Sequence, residues 1–246
     1  MSIDVNDFYT PERFARFKAF AATKETPFVV IDTEIIDEAY TEITKGFPVA
    51  DIFYAIKANP APEILTLLRD RGSNFDVASR YELDKLLAIG GVSPDRVSYG
   101  NTIKKANDVR YFYEKGVRMF ATDSEADLRN IAKAAPGSRV YVRILTEGTV
   151  TADWPLSRKF GCRPDMAMDL LVLAKELGLI PYGISFHVGS QQRDIGAWDA
   201  AIANVKVIFE RLKEEDNIEL QMINMGGGFP ANYITRTNEL STYAEE

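Results

Sequence analysis

The sequence predicts an α/β fold in which parallel β-strands alternate with helices and form a (β/α)8 barrel. Short apolar segments alternate with amphipathic segments of about 10 to 20 residues along most of the 246-residue chain. Glycines follow several of the predicted helices, where a left-handed residue commonly ends a helix. The units succeed one another without a sign of reversed strand order, which favours a barrel over a doubly wound sheet.

The elements can be placed in order along the chain. A first strand is possible at Phe28–Ile31, followed by a helix from Thr33 to about Lys45 that Gly46 ends. Further strands are predicted at Ile52–Ile56, Phe75–Ala78, Arg96–Tyr99, Val117–Ala121, Val140–Leu145, Tyr182–His187 and Leu220–Asn224. Helices are predicted near 61–71, 80–89, 105–115, 124–134, 165–177 and 195–213, with Gly72, Gly90, Gly116 and Gly178 just past four of them.

The composition is that of a soluble globular protein, with 46% hydrophobic and 26% charged residues. The 29 Lys and Arg against 36 Asp and Glu give a net charge of −7, which argues against a nucleic-acid partner. A single cysteine, Cys162, excludes an intrachain disulfide and favours a reducing compartment. No long apolar run and no secretory signal is present, so we expect a cytoplasmic protein without a membrane partner.

Polar residues stand where the predicted strands end. In a parallel barrel these ends meet on one rim, which carries the active site. The residues concerned are Lys57, Asp76, Arg143, His187 and the triplet Gly226–Gly228. We therefore expect them to converge, although they are far apart in sequence.

Lys57 follows the apolar strand residues Tyr54-Ala55-Ile56. Desolvation at such a position would lower the pKa of the amine and make Schiff-base chemistry possible. The local sequence alone favours the alternative, in which the ammonium simply extends to solvent at the rim.

The glycine triplet could bring backbone N–H groups close to a phosphate, and Ser190 could add a hydroxyl. A plain loop is the alternative, and the spacing does not match the common nucleotide-binding motifs. His187 is the only histidine, so a histidine-based metal site is excluded and no metal is expected. This imidazole is either a structural residue or a ring packed against a flat cofactor.

Four further residues have a simpler explanation. Glu82 completes a capping box with Ser79, although its place near the rim leaves a cofactor role open. Cys162 has no nearby histidine to activate it and is expected to be structural. Lys104 and Lys105 are expected on a solvated face.

Seven segments together resemble the ornithine/lysine/diaminopimelate decarboxylases, a family of fold-type III enzymes dependent on pyridoxal phosphate (PLP). Their order and spacing are more specific than any one of them, and residues 101–105 are more similar to the ornithine and lysine branch. The segments are YAIKANPAPEIL at 54–65, FDVASRYEL at 75–83, SYGNTIKK at 98–105, GVRMFATDSEADL at 116–128, SRKFG at 157–161, SFHVGSQ at 185–191 and MGGGFP at 225–230.

The resemblance implies a role for each residue at the rim. Lys57 would form the Schiff base with PLP and His187 would stack on the cofactor ring, both as catalytic residues. Asp76, Glu82 and Arg143 would surround the lysine and the cofactor, and the phosphate would bind at Ser190, Gly226, Gly227 and Gly228. The implied reaction is α-decarboxylation of a basic amino acid, ornithine to putrescine or lysine to cadaverine, in polyamine biosynthesis. The full-length form is expected to be a homodimer.

The resemblance also implies that part of the family's site lies outside these residues. The Glu-Pro-Gly-Arg motif of the family's eighth strand does not occur in the sequence, nor does its C-terminal β domain. We expect residues 1–32 to contribute to that second domain, and residues 33–246 to form a barrel truncated before its eighth strand and inactive alone. If Phe28–Ile31 instead begins the barrel, eight strands could close it. A racemase-like enzyme of the same barrel class and a non-catalytic PLP-binding or regulatory homologue are the alternatives.

Overall fold

Seven parallel strands form one sheet, in which neighbouring strands follow one another in chain order. Two short strands lie outside this sheet. The computed structural model describes residues 4, 6, 8–146, 151–154, 159–233 and 237–245. The sheet contains β1 Phe53–Ala55, β2 Asn74–Val77, β3 Val97–Tyr99, β4 Met119–Thr122, β5 Arg139–Arg143, β7 Ile180–Ser185 and β9 Met222–Asn224, while β6 Ala152–Trp154 and β8 Ser190–Gln192 form a separate antiparallel pair. The predicted parallel, barrel-type arrangement is confirmed, with each predicted strand except the first displaced by at most a few residues.

Nine helices lie within the described ranges. They are α1 Pro11–Ala21, α2 Thr33–Gly46, α3 Pro62–Asp70, α4 Arg80–Ile89, α5 Ala106–Glu114, α6 Glu125–Ala134, α7 Pro164–Glu176, α8 Gly196–Asp216 and α9 Leu240–Glu245. Three of these helices, α1, α2 and α4, begin after a capping residue whose side chain accepts a hydrogen bond from a backbone N–H of the first turn. The capping residues are Thr10, Asp32 and Ser79. The glycines predicted to follow helices, at 72, 90, 116 and 178, all have positive φ. Within these ranges no helix is long and apolar enough to cross a membrane.

The outward face of the sheet and the inward faces of the helices form the main hydrophobic core. Along β2, Phe75 and Val77 are fully buried in this core, whereas Asp76 between them points to the other face. Helices α3 to α8 cover the sheet because each of these six has a stripe of buried apolar residues, such as Leu65 and Leu68 in α3. This layer fixes the strand positions and therefore the rim at their carboxyl ends.

The inward face of the sheet is smaller and more polar. Met119, Ala121 and Tyr141 form a second buried cluster there. The Tyr141 hydroxyl lies 2.8 Å from Ser98 Oγ, and both side chains are buried. Register places Ser98 beside Asp76, so this polar pair lies next to the strand position that carries the carboxylate.

The first predicted strand is wrong. Phe28–Ile31, which the structure describes throughout, has no strand assignment, and these four apolar side chains are exposed, with Val29 at 85%. The run of four apolar residues is typical of a strand. The prediction failed because a sequence pattern does not show whether a neighbouring strand is available for pairing. The alternative in which Phe28–Ile31 closes an eight-stranded barrel therefore finds no support in the observed sheet, where β1 pairs only with β2 among the described strands.

Helices α1 and α9 and the β6–β8 pair were not predicted from the sequence. Helix α1 is fastened to α2 by ion pairs: Arg13 binds Glu38, and Arg16 binds Asp32 and Glu34. These side chains are mostly solvent-exposed, so we expect the pairs to orient α1 more than they stabilise the fold.

Candidate active site

Lys57 lies immediately beyond β1, in a single 3-10 turn formed by Ile56–Ala58. Ile56 is fully buried and anchors the turn in the core, while Lys57 itself is exposed at the rim. The turn is held from the next segment, since the Tyr54 hydroxyl donates to the Asn59 carbonyl at 3.1 Å. The fold thus presents a primary amine on a short, anchored turn at the carboxyl ends of the strands.

Asp76 is the carboxylate nearest to this amine in the sheet, on the strand that pairs with β1. Burial raises its pKa to about 6, although the positive charges of Lys57 and Arg143 act in the opposite direction. Gly100, directly after β3, leaves room for it: a Cβ at Gly100 would collide with the Asp76 carboxylate. The structure therefore brings Lys57, Asp76 and Arg143 into one electrostatic group.

Glu82 helps to cap α4, but the predicted capping box is observed only in part, because the Glu82 carboxylate accepts from Ala78 and not from Ser79. Its backbone N–H donates to Ser79 Oγ at 3.3 Å, and its Oε2 accepts the Ala78 N–H at 2.7 Å. The carboxylate thus bonds to the residue before the cap, at the carboxyl end of β2. Its negative charge also raises the pKa of Asp76, so Glu82 belongs to the electrostatic surroundings of the site as well.

Arg143 is the last residue of β5, and its guanidinium lies over the Phe160 ring at 5.5 Å. Burial lowers its pKa, which the charges of Asp123, Tyr141 and Asp76 counteract. The Arg143 carbonyl accepts the Cys162 N–H at 2.9 Å. Cys162 is buried, and burial raises the pKa of its thiol to about 12, in agreement with the structural role expected for it.

His187 lies two residues beyond the end of β7, so the predicted strand extended too far. The strand ends at Ser185, and the imidazole Nδ1 instead accepts the Gly189 N–H at 3.0 Å and stabilises the following turn. Burial, together with the positive charges of Arg143 and Lys57, lowers the His187 pKa to about 4. The ring is therefore neutral at pH 7, and its proton is on Nε2.

The glycine triplet follows β9, where Gly226, Gly227 and Gly228 have φ of 76°, 157° and 96°. A Cβ at Gly226 would collide with the Phe186 carbonyl oxygen, and one at Gly228 with the Gly189 carbonyl oxygen. Glycine is required because the backbone of this loop lies directly against the loop that carries His187. Ser190, exposed at the start of β8, follows in that same loop.

Several residues around the site were missed or wrongly placed by the sequence analysis. Lys104 was expected on a solvated face, but its side chain is completely buried in an ion pair with Asp127. Asp123, just beyond β4, accepts the Gly161 N–H at 2.8 Å, and its charge acts on Arg143. A signal for Asp123 was available, because it is an acidic residue at a strand end. Lys104 carries no such signal, since only the tertiary structure supplies its buried acceptors.

Comparison with known proteins identifies the domain. The family model for the pyridoxal binding domain of pyridoxal-dependent decarboxylases matches residues 33–246. The chain belongs to this family. Within the family it is 38% identical to the lysine/ornithine decarboxylase of Selenomonas ruminantium over 213 residues, 87% of this chain and 53% of that protein. It is also 32% identical to antizyme inhibitor 2 of Xenopus laevis over 203 residues, 82% of this chain and 44% of that protein.

The fold of this family is shared with a solved relative. The crystal structure of the lysine decarboxylase from Selenomonas ruminantium superposes with a TM-score of 0.87 at 35% identity, covering 96% of this chain and 61% of that one. The chain spans about half the length of the curated relatives that it matches. Activity, substrate and partners of the whole protein are therefore matters for proposal.

The residues at the rim fit the cofactor of the family, PLP. An exposed primary amine, an ionisable buried carboxylate and an uncharged imidazole lie in one electrostatic group, because the charges of Lys57 and Arg143 act on the pKa of both Asp76 and His187. The triplet 226–228 provides a backbone surface without side chains, opposite the His187 loop. The amine would suit the aldehyde of PLP, the flat imidazole would suit its pyridine ring, and the exposed backbone would suit its phosphate. The individual roles of these residues remain predictions.

Proposed function

We propose that the protein carrying this chain is a PLP-dependent decarboxylase of a basic amino acid, ornithine or lysine. The observation that carries the proposal is the position of Lys57: an anchored, exposed amine at the strand ends, in electrostatic contact with Asp76 and His187. Membership of the pyridoxal-binding family supports the same conclusion independently.

Each part of the rim would hold a different part of the cofactor. The Lys57 amine would bind the aldehyde carbon, the His187 ring would cover the pyridine face, and Gly226–Gly228 with Ser190 would bind the phosphate. Bound PLP supplies an electron sink for the pair of electrons left when an α-carboxylate departs as CO₂. The remaining work, which is to bind, orient and control protons, falls to the side chains of the chain.

The charge state of those side chains at neutral pH suits this work. Asp76, with a pKa of about 6, is mainly ionised at pH 7 and attracts the Lys57 ammonium. His187, with a pKa of about 4, offers an uncharged flat ring and keeps its proton on Nε2. Arg143 retains a positive charge close to Asp76 and so opposes its protonation. Below about pH 6 the carboxylate gains a proton, and its attraction for Lys57 is lost.

The substrate proposal rests on the names of the relatives. The name of the lysine/ornithine decarboxylase relative supports both substrates. Decarboxylation would then give cadaverine from lysine and putrescine from ornithine, and polyamine synthesis is the role we propose. The full-length form is proposed to be a homodimer in the cytoplasm.

The test is direct. Purified protein with PLP is incubated with ¹⁴C-carboxyl-labelled ornithine and lysine, and released CO₂ and the diamine product are measured. We expect CO₂ and an equal amount of diamine from the wild type, and a loss of at least a thousandfold in K57A, with K105A at an exposed lysine as control. Racemised amino acid without CO₂ would instead indicate the racemase-like alternative.

One relative favours a second candidate function. Antizyme inhibitor 2 is similar over 82% of this chain, and its name describes an inhibitor and not a decarboxylase. A regulatory protein of this kind would give no CO₂ from either substrate, although the fold and the rim would be retained. The presence of Lys57 at the rim supports the decarboxylase over this candidate.

A further inference from the structure

Lys104 is a buried charge beside the site that the proposed reaction does not use. Its side chain is 0% exposed, and its Nζ donates to Asp127 Oδ2 at 2.6 Å and to the Asn101 carbonyl at 2.9 Å. A third hydrogen bond is donated to the Ala121 carbonyl, near the end of β4. All three donor positions of the ammonium are thus occupied by acceptors from three different segments.

The pair is not easily explained by stability alone. Asp127 also accepts a hydrogen bond from Thr122 Oγ1 at 2.9 Å, but its second oxygen, Oδ1, is buried without a partner in the described part of the chain. Burial lowers the pKa of Lys104 and raises that of Asp127, as expected when both charges are removed from water. Buried pairs of this kind often stabilise a fold no more than apolar residues would. A role in fixing local geometry accounts better for their presence.

The segment that Lys104 holds is the loop after β3. The loop begins with Gly100, whose Cα faces the Asp76 carboxylate at a distance that excludes a side chain. Asn101 follows, and its Nδ2 donates to the Ala78 carbonyl at 3.3 Å, beyond the end of β2. Lys104 then binds the Asn101 carbonyl and the end of β4. The loop is therefore fastened to both strands that flank β3, at the point where it covers Asp76.

We propose that Lys104 is a positioning residue, which with Asp127 holds the loop 100–104 against the Asp76 carboxylate and keeps water from that side of it. The relevance for catalysis rests on the proposed function, because only there does Asp76 act on the cofactor lysine. The positioning itself is a property of the chain and can be tested without PLP.

If Lys104 holds this loop in place, the ionisation of Asp76 depends on Lys104. The titratable and charged groups that act on Asp76 are Lys57 after β1, Glu82 on α4, and Arg143 and Tyr141 on β5. Lys104 is not among them, so removing its charge should not change the Asp76 pKa by direct attraction. If the loop loosens, water reaches the carboxylate, and its pKa should fall from about 6 toward the ordinary value of 3.8.

The experiment compares three variants with the wild type by NMR of ¹³Cγ-aspartate, with the Asp76 signal assigned from D76N. K104M removes the buried charge and keeps the length of the side chain. K105M is the matched control, because Lys105 is the exposed neighbour. K104M/D127L removes both charges, so that no unpaired carboxylate remains and a folded protein is obtained if K104M alone does not fold.

We expect the Asp76 pKa to fall by about one unit or more in K104M and in the double variant, and to stay near 6 in K105M. Faster hydrogen exchange of the amides at 101–104 should accompany the fall. An Asp76 pKa that remains near 6 in the folded double variant would overturn the proposal, since the pair would then be structural only. Because this readout needs neither cofactor nor substrate, its failure is distinct from a failure of the decarboxylase assay.

Discussion

The side-chain amide of Gln191 forms two hydrogen bonds with the backbone of Ala231: Nε2 donates to the carbonyl at 2.8 Å, and Oε1 accepts the N–H at 2.7 Å. Gln191 follows Ser190 in β8, directly after the loop that carries His187, and Ala231 follows the segment Gly228-Phe229-Pro230. The pair therefore fixes the glycine loop to the histidine loop. Since the two loops carry the groups assigned to the phosphate and the ring, their separation should control how well the cofactor fits.

Replacing Gln191 with leucine should weaken this connection. The variant loses two hydrogen bonds and leaves the Ala231 backbone groups unpaired, so we expect the free energy of unfolding to fall by about 1–3 kcal/mol. The affinity for PLP, measured by fluorescence titration, should fall at the same time. Q221L is the control, because Gln221 has an exposed side chain. Equal PLP affinity in Q191L and the wild type would show that the loops are held by other contacts.

The effect of close packing at Gly226 can be measured by comparison with Gly178, which has a positive φ but no close neighbour. Gly226 and Gly178 have φ of 76° and 74°, but a Cβ has open space at Gly178 and meets the Phe186 carbonyl oxygen at Gly226. An alanine at either position has the same backbone strain, about 1–2 kcal/mol. We expect the free energy of unfolding, measured in urea, to be lower in G226A than in G178A by about 1–3 kcal/mol. G226A should also lose most of its affinity for PLP. Similar losses in both variants would contradict the close approach of the two loops.

Gly100 should be intolerant of alanine for another reason. The new methyl group would displace the Asp76 carboxylate, because the two cannot occupy the same space. We expect G100A to lower the rate of PLP attachment to Lys57 at least tenfold and to lower the free energy of unfolding by about 1–3 kcal/mol. The control is G196A at the start of α8, where the nearest atom to a Cβ lies at an ordinary 3.4 Å. If PLP attached to Lys57 at the normal rate in G100A, the role proposed for Asp76 at the site would be wrong.

The single histidine allows an unambiguous NMR test. Because burial lowers the His187 pKa to about 4, its ¹⁵N and ¹H ring signals should stay constant from pH 8 to pH 5, with the proton on Nε2. In the unfolded chain the imidazole takes up its second proton near pH 6.5, whereas in the folded protein it does so only near pH 4. The stability that the neutral ring contributes is therefore present above pH 6.5 and is lost as the pH falls through about 4. A ring that titrates near 6.5, or a proton on Nδ1, would contradict the packing described.

The periodic parts of the fold could be predicted from sequence. Helix α4 was placed at its observed bounds because Ser79 caps it and Gly90 follows it. Lys57, Asp76 and Arg143 were predicted at one rim because strand ends converge in any parallel barrel. These predictions needed only local pattern and one topological rule.

Other features depend on contacts that a local pattern does not contain. Phe28–Ile31 has the composition of a strand but pairs with no strand in the described sheet. Lys104 has the same local sequence character as Lys105, yet only Lys104 is enclosed by Asp127 and two carbonyls. The need for glycine at position 100 arises from Asp76, on the neighbouring strand. Each requires knowledge of which segments lie side by side.

The most direct test of the proposal that Lys57 holds the cofactor is to map the residue to which PLP attaches. The protein is incubated with PLP, reduced with borohydride, digested and mapped by mass spectrometry. We expect one modified residue, Lys57, and an absorbance band of bound PLP that disappears in K57A. Modification spread over exposed lysines such as Lys105 and Lys159, with an unchanged band in K57A, would contradict the assignment of the rim as the cofactor site.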